Sequence, residues 1–150
     1  MTATSDITVQ VAVSGLPLPS ARDIHRWATQ ALEAQQAAGE LVVRIVDEAE
    51  MSALNARYRG KQGPTNVLSF PCEGFAGVDS GILGDIVICA PVVQAEALRQ
   101  GKDVQAHWAH LVIHGVLHLL GFDHLHEAEA HAMEARETEL LHRLGYDDPY

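Results

Sequence analysis

Cysteine, positive charge and long apolar runs are all scarce in this sequence of 150 residues. The two cysteines, Cys72 and Cys89, lie far apart in apolar segments and form no CxxC pair, so we expect buried structural thiols in a reducing compartment. The longest apolar stretch, 111–122, is interrupted by two histidines and is shorter than the ~20 residues that span a bilayer. No membrane partner is therefore expected.

The charge balance is acidic, with 20 Asp and Glu residues against 10 Lys and Arg residues and a formal net charge of −10. The overall electrostatic field should repel nucleic acid, and no DNA partner is expected. Three of the cations, Arg57, Arg59 and Lys61, nevertheless fall close together and can form a local basic strip. The N-terminal segment lacks the basic stretch and apolar run of a secretory signal, which leads us to expect a cytoplasmic protein.

Hydrophobic periodicity predicts nine elements in the order β-α-β-α-β-β-α-α-α. The strands are predicted at about 7–13, 41–46, 66–70 and 82–89. Capping residues precede three of the predicted helices, namely Ser20, Asp47 and Asp103. This order predicts an α+β fold in a single domain, residues 1–150, with one small mixed sheet of about four strands and helices packed on it.

Seven of the nine histidines fall between residues 107 and 131, and this cluster is the strongest functional signal in the sequence. His114 and His118 are four residues apart on a predicted helix, so their imidazoles share one face and can bind one metal ion. Gly121 can adopt a positive φ, which lets the chain turn back and bring His124 in as a third ligand. Three protein ligands leave one coordination position open, as in catalytic zinc sites, so we predict one Zn²⁺ per chain.

Two further histidines, His107 and His110, lie on the same predicted helical face and compete for the ligand role. They rank second, because pairing His110 with His114 leaves His118 unused and gives the turn at Gly121 no role. A carbonyl or carboxylate is expected to accept the other ring N–H of each ligating imidazole.

The spacing of the predicted ligands equals that of the metzincin peptidases, HExxHxxGxxH, but Gly115 stands where those enzymes have the glutamate base. A zinc metallopeptidase is therefore an alternative that needs a base from elsewhere in the chain. Zinc deaminases are excluded, because the sequence has neither their His-x-Glu nor their CxxC motif.

Four segments resemble the YbeY endoribonucleases, which are bacterial rRNA maturation factors. The segments are HGVLHLLGFDH at 114–124, LN at 54–55 with YRGK at 58–61, PTNVLSFP at 64–71 and LGDI at 83–86. The resemblance covers about residues 41–150. Many members of the family carry Asp where this chain has Asn66, which argues against a catalytic role at this position.

The resemblance implies a zinc-dependent, single-strand-specific endoribonuclease that acts in maturation of the small-subunit (16S) rRNA 3′ end and in ribosome quality control. It implies zinc at His114, His118 and His124 and a functional Arg59, whose planar fork can hold two phosphate oxygens. The implied partners are single-stranded RNA, rRNA and the small ribosomal subunit, together with a small-subunit ribosomal protein or an Era-type GTPase.

Two points stay open at the level of the sequence. The sequence does not identify the general base; His110 and the 2′-hydroxyl of the substrate are both candidates, and the residues do not choose between them. The second alternative function is a non-catalytic ribosome assembly factor stabilised by zinc, which the acidic net charge favours slightly over a free nuclease.

Overall fold

The computed structural model describes residues 5–72, 81–122 and 126–150. Within these ranges four strands form one sheet: β1 (Asp6–Val11), β2 (Glu40–Val46), β3 (Val67–Pro71) and β4 (Ile82–Cys89). The helices of the same ranges are α1 (Ala21–Ala34), α2 (Glu48–Arg59), α3 (Ala90–Gln100), α4 (Val104–Leu119) and α5 (Glu127–Arg143). The predicted order of elements and the α+β class are confirmed.

The sheet is mixed, with the strand order β1-β2-β4-β3. Strands β1, β2 and β4 are parallel, and β3 pairs antiparallel with β4 at the edge. Parallel neighbours need crossover connections, and α1 supplies the one between β1 and β2. This arrangement places β3 and the end of α2 next to each other at one side of the sheet.

Alternation along the strands divides their side chains between two faces of the sheet. In β2, Val43 and Ile45 enter the main core with α1 and α4, whereas Val46 belongs to a second cluster. That second cluster lies under α2, whose Met51 packs against Val87 and the other members. Helix α2 therefore covers one end of the second face.

Helix α4 crosses the main face of the sheet and is buried along most of its length. It approaches β4 closely at Gly115, where a Cβ atom would lie 2.7 Å from Cγ2 of Ile86. Although α4 is strongly apolar, no helix in the described ranges is long and apolar enough to cross a membrane.

The predicted caps are confirmed for two helices. The hydroxyl of Ser20 accepts a hydrogen bond from the N–H of Asp23 at 3.1 Å, and the carboxylate of Asp47 accepts one from the N–H of Glu50 at 2.9 Å. Asp103 does occupy the N-cap position of α4, but its side chain makes no capping hydrogen bond. The start of α4 therefore has no side-chain cap.

The prediction of two buried thiols is half wrong. Cys89 is buried at the end of β4, but Cys72 is exposed. The reason is its place immediately after the last residue of the edge strand β3, where its N–H still bonds to the carbonyl of Leu83 at 3.0 Å. Cys72 is exposed because β3 lies at the edge of the sheet, and the apolar sequence around Cys72 does not reveal that position.

Candidate active site and metal ligands

A cleft of about 460 Å³ lies between the end of α2, the edge strand β3 and helix α4. Its lining residues are Tyr58, Arg59, Val67, Ser69, Phe70, His114 and His118. Three of the predicted site residues thus share one cleft, although Arg59 is far from the two histidines in sequence. The fourth, His124, lies outside the described residues, so the full ligand set stays a prediction.

His114 and His118 present their rings to this cleft from consecutive turns of α4. The ring centroids are 6.1 Å apart and the ring planes meet at 63°. Both residues are partly buried, in contrast to their fully buried neighbours on the other side of the helix. The rings can therefore supply two nitrogens to one ion at the cleft surface.

Arg59 is the last residue of α2, so its position depends on how that helix ends. Gly60 ends the helix in the left-handed conformation, with φ 65° and ψ 20°. The buried amide of Asn55 then donates a hydrogen bond to the carbonyl of Gly63 at 2.9 Å, which holds the following turn. Arg59 remains exposed at the cleft.

A buried carboxylate on α5, that of Glu137, fixes the ring of His114. Its Oε1 accepts a hydrogen bond of 2.5 Å from Nδ1 of His114, and its Oε2 accepts one from the hydroxyl of Tyr150. An ionised carboxylate can only accept, so Nδ1 carries the proton and the lone pair of the ring lies on Nε2. This is the carboxylate–histidine arrangement that orients metal-binding imidazoles in proteins.

The charge state of Glu137 follows from the same contacts. Burial by itself raises the pKa of its carboxyl group, but hydrogen bonds from His110, His114 and Tyr150 outweigh burial and lower that pKa to about 2. Burial and the neighbouring Glu137 raise the pKa of Tyr150. Glu137 is therefore ionised at neutral pH, and its buried negative charge favours a cation near His114.

His110, His114 and Glu137 also form a group that could itself hold a metal ion. Each offers one ligand atom, and these atoms all lie within 4.8 Å of one another. This group differs from the predicted ligand set, in which His110 ranked second and Glu137 had no part. A metal inside it would have to replace the 2.5 Å hydrogen bond between His114 and Glu137.

The alternative ligands His107 and His110 face a different cavity from the cleft. They line a space of about 440 Å³ that is closed by residues 145–149. Nε2 of His107 lies 3.0 Å from Oε1 of Glu96, which also accepts a hydrogen bond from the amide of Asn66 at 3.1 Å. Asn66 therefore links β3 to α3 and α4, which is a structural role. Because His110 lies on this other side, it is poorly placed to act as a general base in the cleft.

Sequence reasoning missed Glu137 and Tyr150. A signal for Glu137 does exist, because it falls four residues after Met133 and three before Leu140, within the buried stripe of α5. An acid in an apolar stripe needs a buried partner, and the histidine cluster was the obvious source. No comparable signal marks Tyr150.

Comparison with known proteins bears on the family of the chain. The sequence model of the family "Endoribonuclease YbeY" matches residues 17–145. A curated endoribonuclease YbeY of Methylococcus capsulatus is 55% identical over 145 residues, which are 97% of this chain and 95% of that protein. The endoribonuclease YbeY of Nitrosococcus oceani is 53% identical over 146 residues, which are 96% of this chain and 95% of that protein.

A solved structure is similar in fold. The solution structure of a protein from Thermotoga maritima superimposes with a TM-score of 0.59 at 21% identity, covering 95% of this chain and 98% of that one. At 21% identity this likeness shows the fold alone. The match to the family model and the two similar relatives show which family the chain belongs to. The chain belongs to the YbeY endoribonuclease family.

Proposed function

We propose that this chain is a zinc-dependent, single-strand-specific endoribonuclease that cleaves RNA in the cleft between α2, β3 and α4. The observation that carries the proposal is the meeting of Arg59, His114 and His118 in that one cleft. The names of its relatives support RNA as the substrate. We further propose that residues 1–150 act as one domain.

The proposed zinc ligands are His114, His118 and His124. The hydrogen bond from Nδ1 of His114 to Glu137 supports this set, because it leaves the lone pair of the ring on Nε2. Three imidazoles suit zinc, which prefers nitrogen and sulfur ligands in a tetrahedral site. When bound, the metal supplies Lewis acidity to a phosphodiester oxygen and lowers the pKa of water.

The proposed role of Arg59 is to hold the scissile phosphate. Its guanidinium is exposed at the cleft, and no ion pair within the described ranges involves it. The neighbouring Arg57 is placed differently, with its guanidinium carbon 5.4 Å from the ring centroid of Tyr58. A planar fork that pairs with no acid of the described residues can take two phosphate oxygens and stabilise the charge that develops in the transition state.

We do not favour a metallopeptidase, because position 115 supplies no base. A glutamate base at position 115 would place its Cβ 2.7 Å from Ile86, a buried side chain of β4. A side chain at this position would therefore force either Ile86 or the backbone of α4 to shift. With His110 facing the other cavity, we favour the 2′-hydroxyl of the substrate over His110 as the group that takes part in the proton transfer.

We propose that the biological substrate is rRNA, with action at the 16S rRNA 3′ end and in ribosome quality control in the cytoplasm. The resemblance to the family supports this assignment. The net charge of −10 suggests how the enzyme reaches RNA. A protein partner, such as a small-subunit ribosomal protein or an Era-type GTPase, would bring it to the ribosomal subunit, because its own field repels RNA.

Metal content and RNA cleavage test the proposal together. Plasma emission on the purified protein should find one zinc per chain, and single-stranded RNA should be cut in a reaction that a chelator stops. His114→Ala should lose both the zinc and the cleavage. Zinc without cleavage would favour the non-catalytic assembly factor, and release of new amino termini from unfolded protein would favour the peptidase.

Arg59→Glu separates phosphate binding from metal binding. The variant should keep its zinc and its fold and lose cleavage. Arg99→Glu is a matched control, because Arg99 also lies in the last turn of a helix that ends at a left-handed glycine. Both variants lose the same favourable contact with the helix dipole, so a difference between them reports the cleft alone. Normal cleavage by Arg59→Glu would remove Arg59 from the mechanism.

A further inference from the structure

The second face of the sheet has an open part beside the region that α2 covers. There a cavity of about 460 Å³ is lined by Gln10, Val42, Arg44, Glu50, Leu54, Tyr58, Phe70, Asp85 and Val87. The strand register explains the set: Val42 and Phe70 pair with Asp85 from opposite sides, so the three share one face. The volume is within the range of small-molecule sites, roughly 300–1,000 Å³.

This cavity adjoins the proposed active cleft. Tyr58 and Phe70 line both spaces and form the wall between them. Their rings meet edge to face, with centroids 5.2 Å apart and an interplanar angle of 67°. Tyr58 is 56% exposed, so one polymer chain can contact the aromatic pair while it passes from one space to the other.

The charges in the cavity are unsuited to phosphate. Nε of Arg44 donates a hydrogen bond to Glu50 at 2.6 Å, and Nη2 of Arg44 donates a second one to Glu50 at 3.0 Å. The one cation among the described residues that line the cavity is therefore already neutralised. The third guanidinium nitrogen donates to Gln10 at 3.2 Å. Asp85 is exposed and takes part in no ion pair within the described ranges. What remains for a ligand is a carboxylate acceptor beside an aromatic wall.

The rim next to this wall has the opposite character. Arg57, Arg59 and Lys61 follow one another around Tyr58 at the end of α2, and all three are exposed. In a nucleic acid strand each base is attached next to a charged phosphate. The cationic rim could contact the phosphate while the acidic, partly apolar cavity takes the neighbouring base. Single-strand binding proteins combine a basic track for the backbone with aromatic side chains for the bases.

We propose that this cavity is a nucleobase subsite, which takes a base next to the scissile phosphate of single-stranded RNA and reads it through Asp85. The inference rests on the proposed function and adds a base preference to it. A carboxylate accepts from the amino groups of adenine, cytosine and guanine, whereas uracil presents a carbonyl oxygen at the corresponding position. The subsite should therefore disfavour uracil. Tyr58 supplies stacking area that does not depend on which base is bound.

Equilibrium binding separates this subsite from catalysis. Fluorescence anisotropy on the metal-loaded protein would use short 2′-O-methyl oligoribonucleotides that contain only adenine, only cytosine or only uracil. We expect adenine and cytosine oligomers to bind about 10-fold more tightly than uracil oligomers, as for a hydrogen bond to a charged group. Asp85→Asn should abolish this preference. Glu33→Gln, an exposed change of equal charge on α1, should keep it.

Tyr58 tests the stacking part of the subsite. Tyr58→Leu should weaken binding of all three oligomers by roughly 5- to 100-fold, the range for loss of one base–aromatic stack, while Tyr58→Phe should bind as the wild type does. Asp85→Ser repeats the base test if the asparagine variant melts early.

The outcomes distinguish the subsite from the proposed function. In one outcome the wild type cuts single-stranded RNA, and the Asp85→Asn and Tyr58→Leu variants bind every oligomer as Glu33→Gln does. The proposed subsite would then be wrong, whereas the proposed endoribonuclease activity would be supported. If the wild type neither binds nor cuts any single-stranded RNA, both fail.

Discussion

Replacing Glu137 by glutamine removes the buried charge that holds His114 while keeping the shape of the side chain. The amide oxygen can still accept from Nδ1 of His114, and the amide nitrogen can donate to the hydroxyl of Tyr150, so no buried polar atom need lose its partner. One charge-assisted hydrogen bond becomes a neutral one, a difference of about 1 to 2 kcal/mol. We therefore expect zinc to bind roughly 5- to 30-fold more weakly, within the range usual for partners of metal-bound histidines.

Competition with a chromophoric chelator measures this change in zinc affinity directly, without reference to RNA cleavage. Glu129→Gln is the matched control, since it removes an exposed charge from the same helix. If Glu137→Gln binds zinc as tightly as the control does, Glu137 does not support the metal site. If zinc is lost altogether from a folded variant, Glu137 is itself a ligand, as in the group that it forms with His110 and His114.

A pair of histidine variants decides between the same two arrangements. If the metal lies in the cleft, His118→Ala should lose zinc and His110→Ala should keep it. If the metal lies among His110, His114 and Glu137, the results should be reversed, because His118 is outside that group. Retention of zinc by both variants would contradict each arrangement.

Two further predictions concern stability. Burial lowers the pKa of His107 below its ordinary 6.5, although the neighbouring Glu96 opposes this shift. As the pH drops, the unfolded chain is therefore protonated at His107 before the folded chain is. Folding stability should then fall as the pH drops through 6.5. In urea unfolding His107→Gln should reduce this pH dependence, and an unchanged slope would contradict the assignment. Gly115→Ala should destabilise the fold by about 1 kcal/mol, because overpacking against Ile86 exceeds the gain in helix propensity; an unfolding midpoint at or above that of the wild type would refute the close contact.

The elements of the fold were predictable because their signals are local. The short apolar segments of β2 and β4 and the capping residues Ser20 and Asp47 mark boundaries that agree with the structure to within a few residues. The strand order β1-β2-β4-β3 was not predicted, because pairing between distant strands leaves no mark in either strand alone. The exposure of Cys72 is a consequence of that order, since it depends on β3 lying at the edge.

The candidate site was predictable to the extent that one helix carries it. The spacing of His114 and His118 on α4 is enough to place their rings on one face. Arg59 came from the resemblance to the family, since a cation at a helix end is a common surface feature. Glu137 and Tyr150 reach His114 only through the packing of α5 and the last residues against α4, which no local pattern contains.

Position 115 shows why the metzincin spacing does not bring metzincin chemistry with it. The absence of a side chain lets α4 approach β4, and the hydroxyl of Ser69 on β3 donates to the carbonyl of Gly115 at 3.2 Å. This contact ties the edge strand to the turn of helix that carries His114, so one wall of the cleft is positioned through the glycine. A glutamate there would supply a base but would also press its Cβ against the side chain of Ile86. The glycine is therefore part of how this fold builds the cleft, and any proton transfer must come from the substrate or from another side chain.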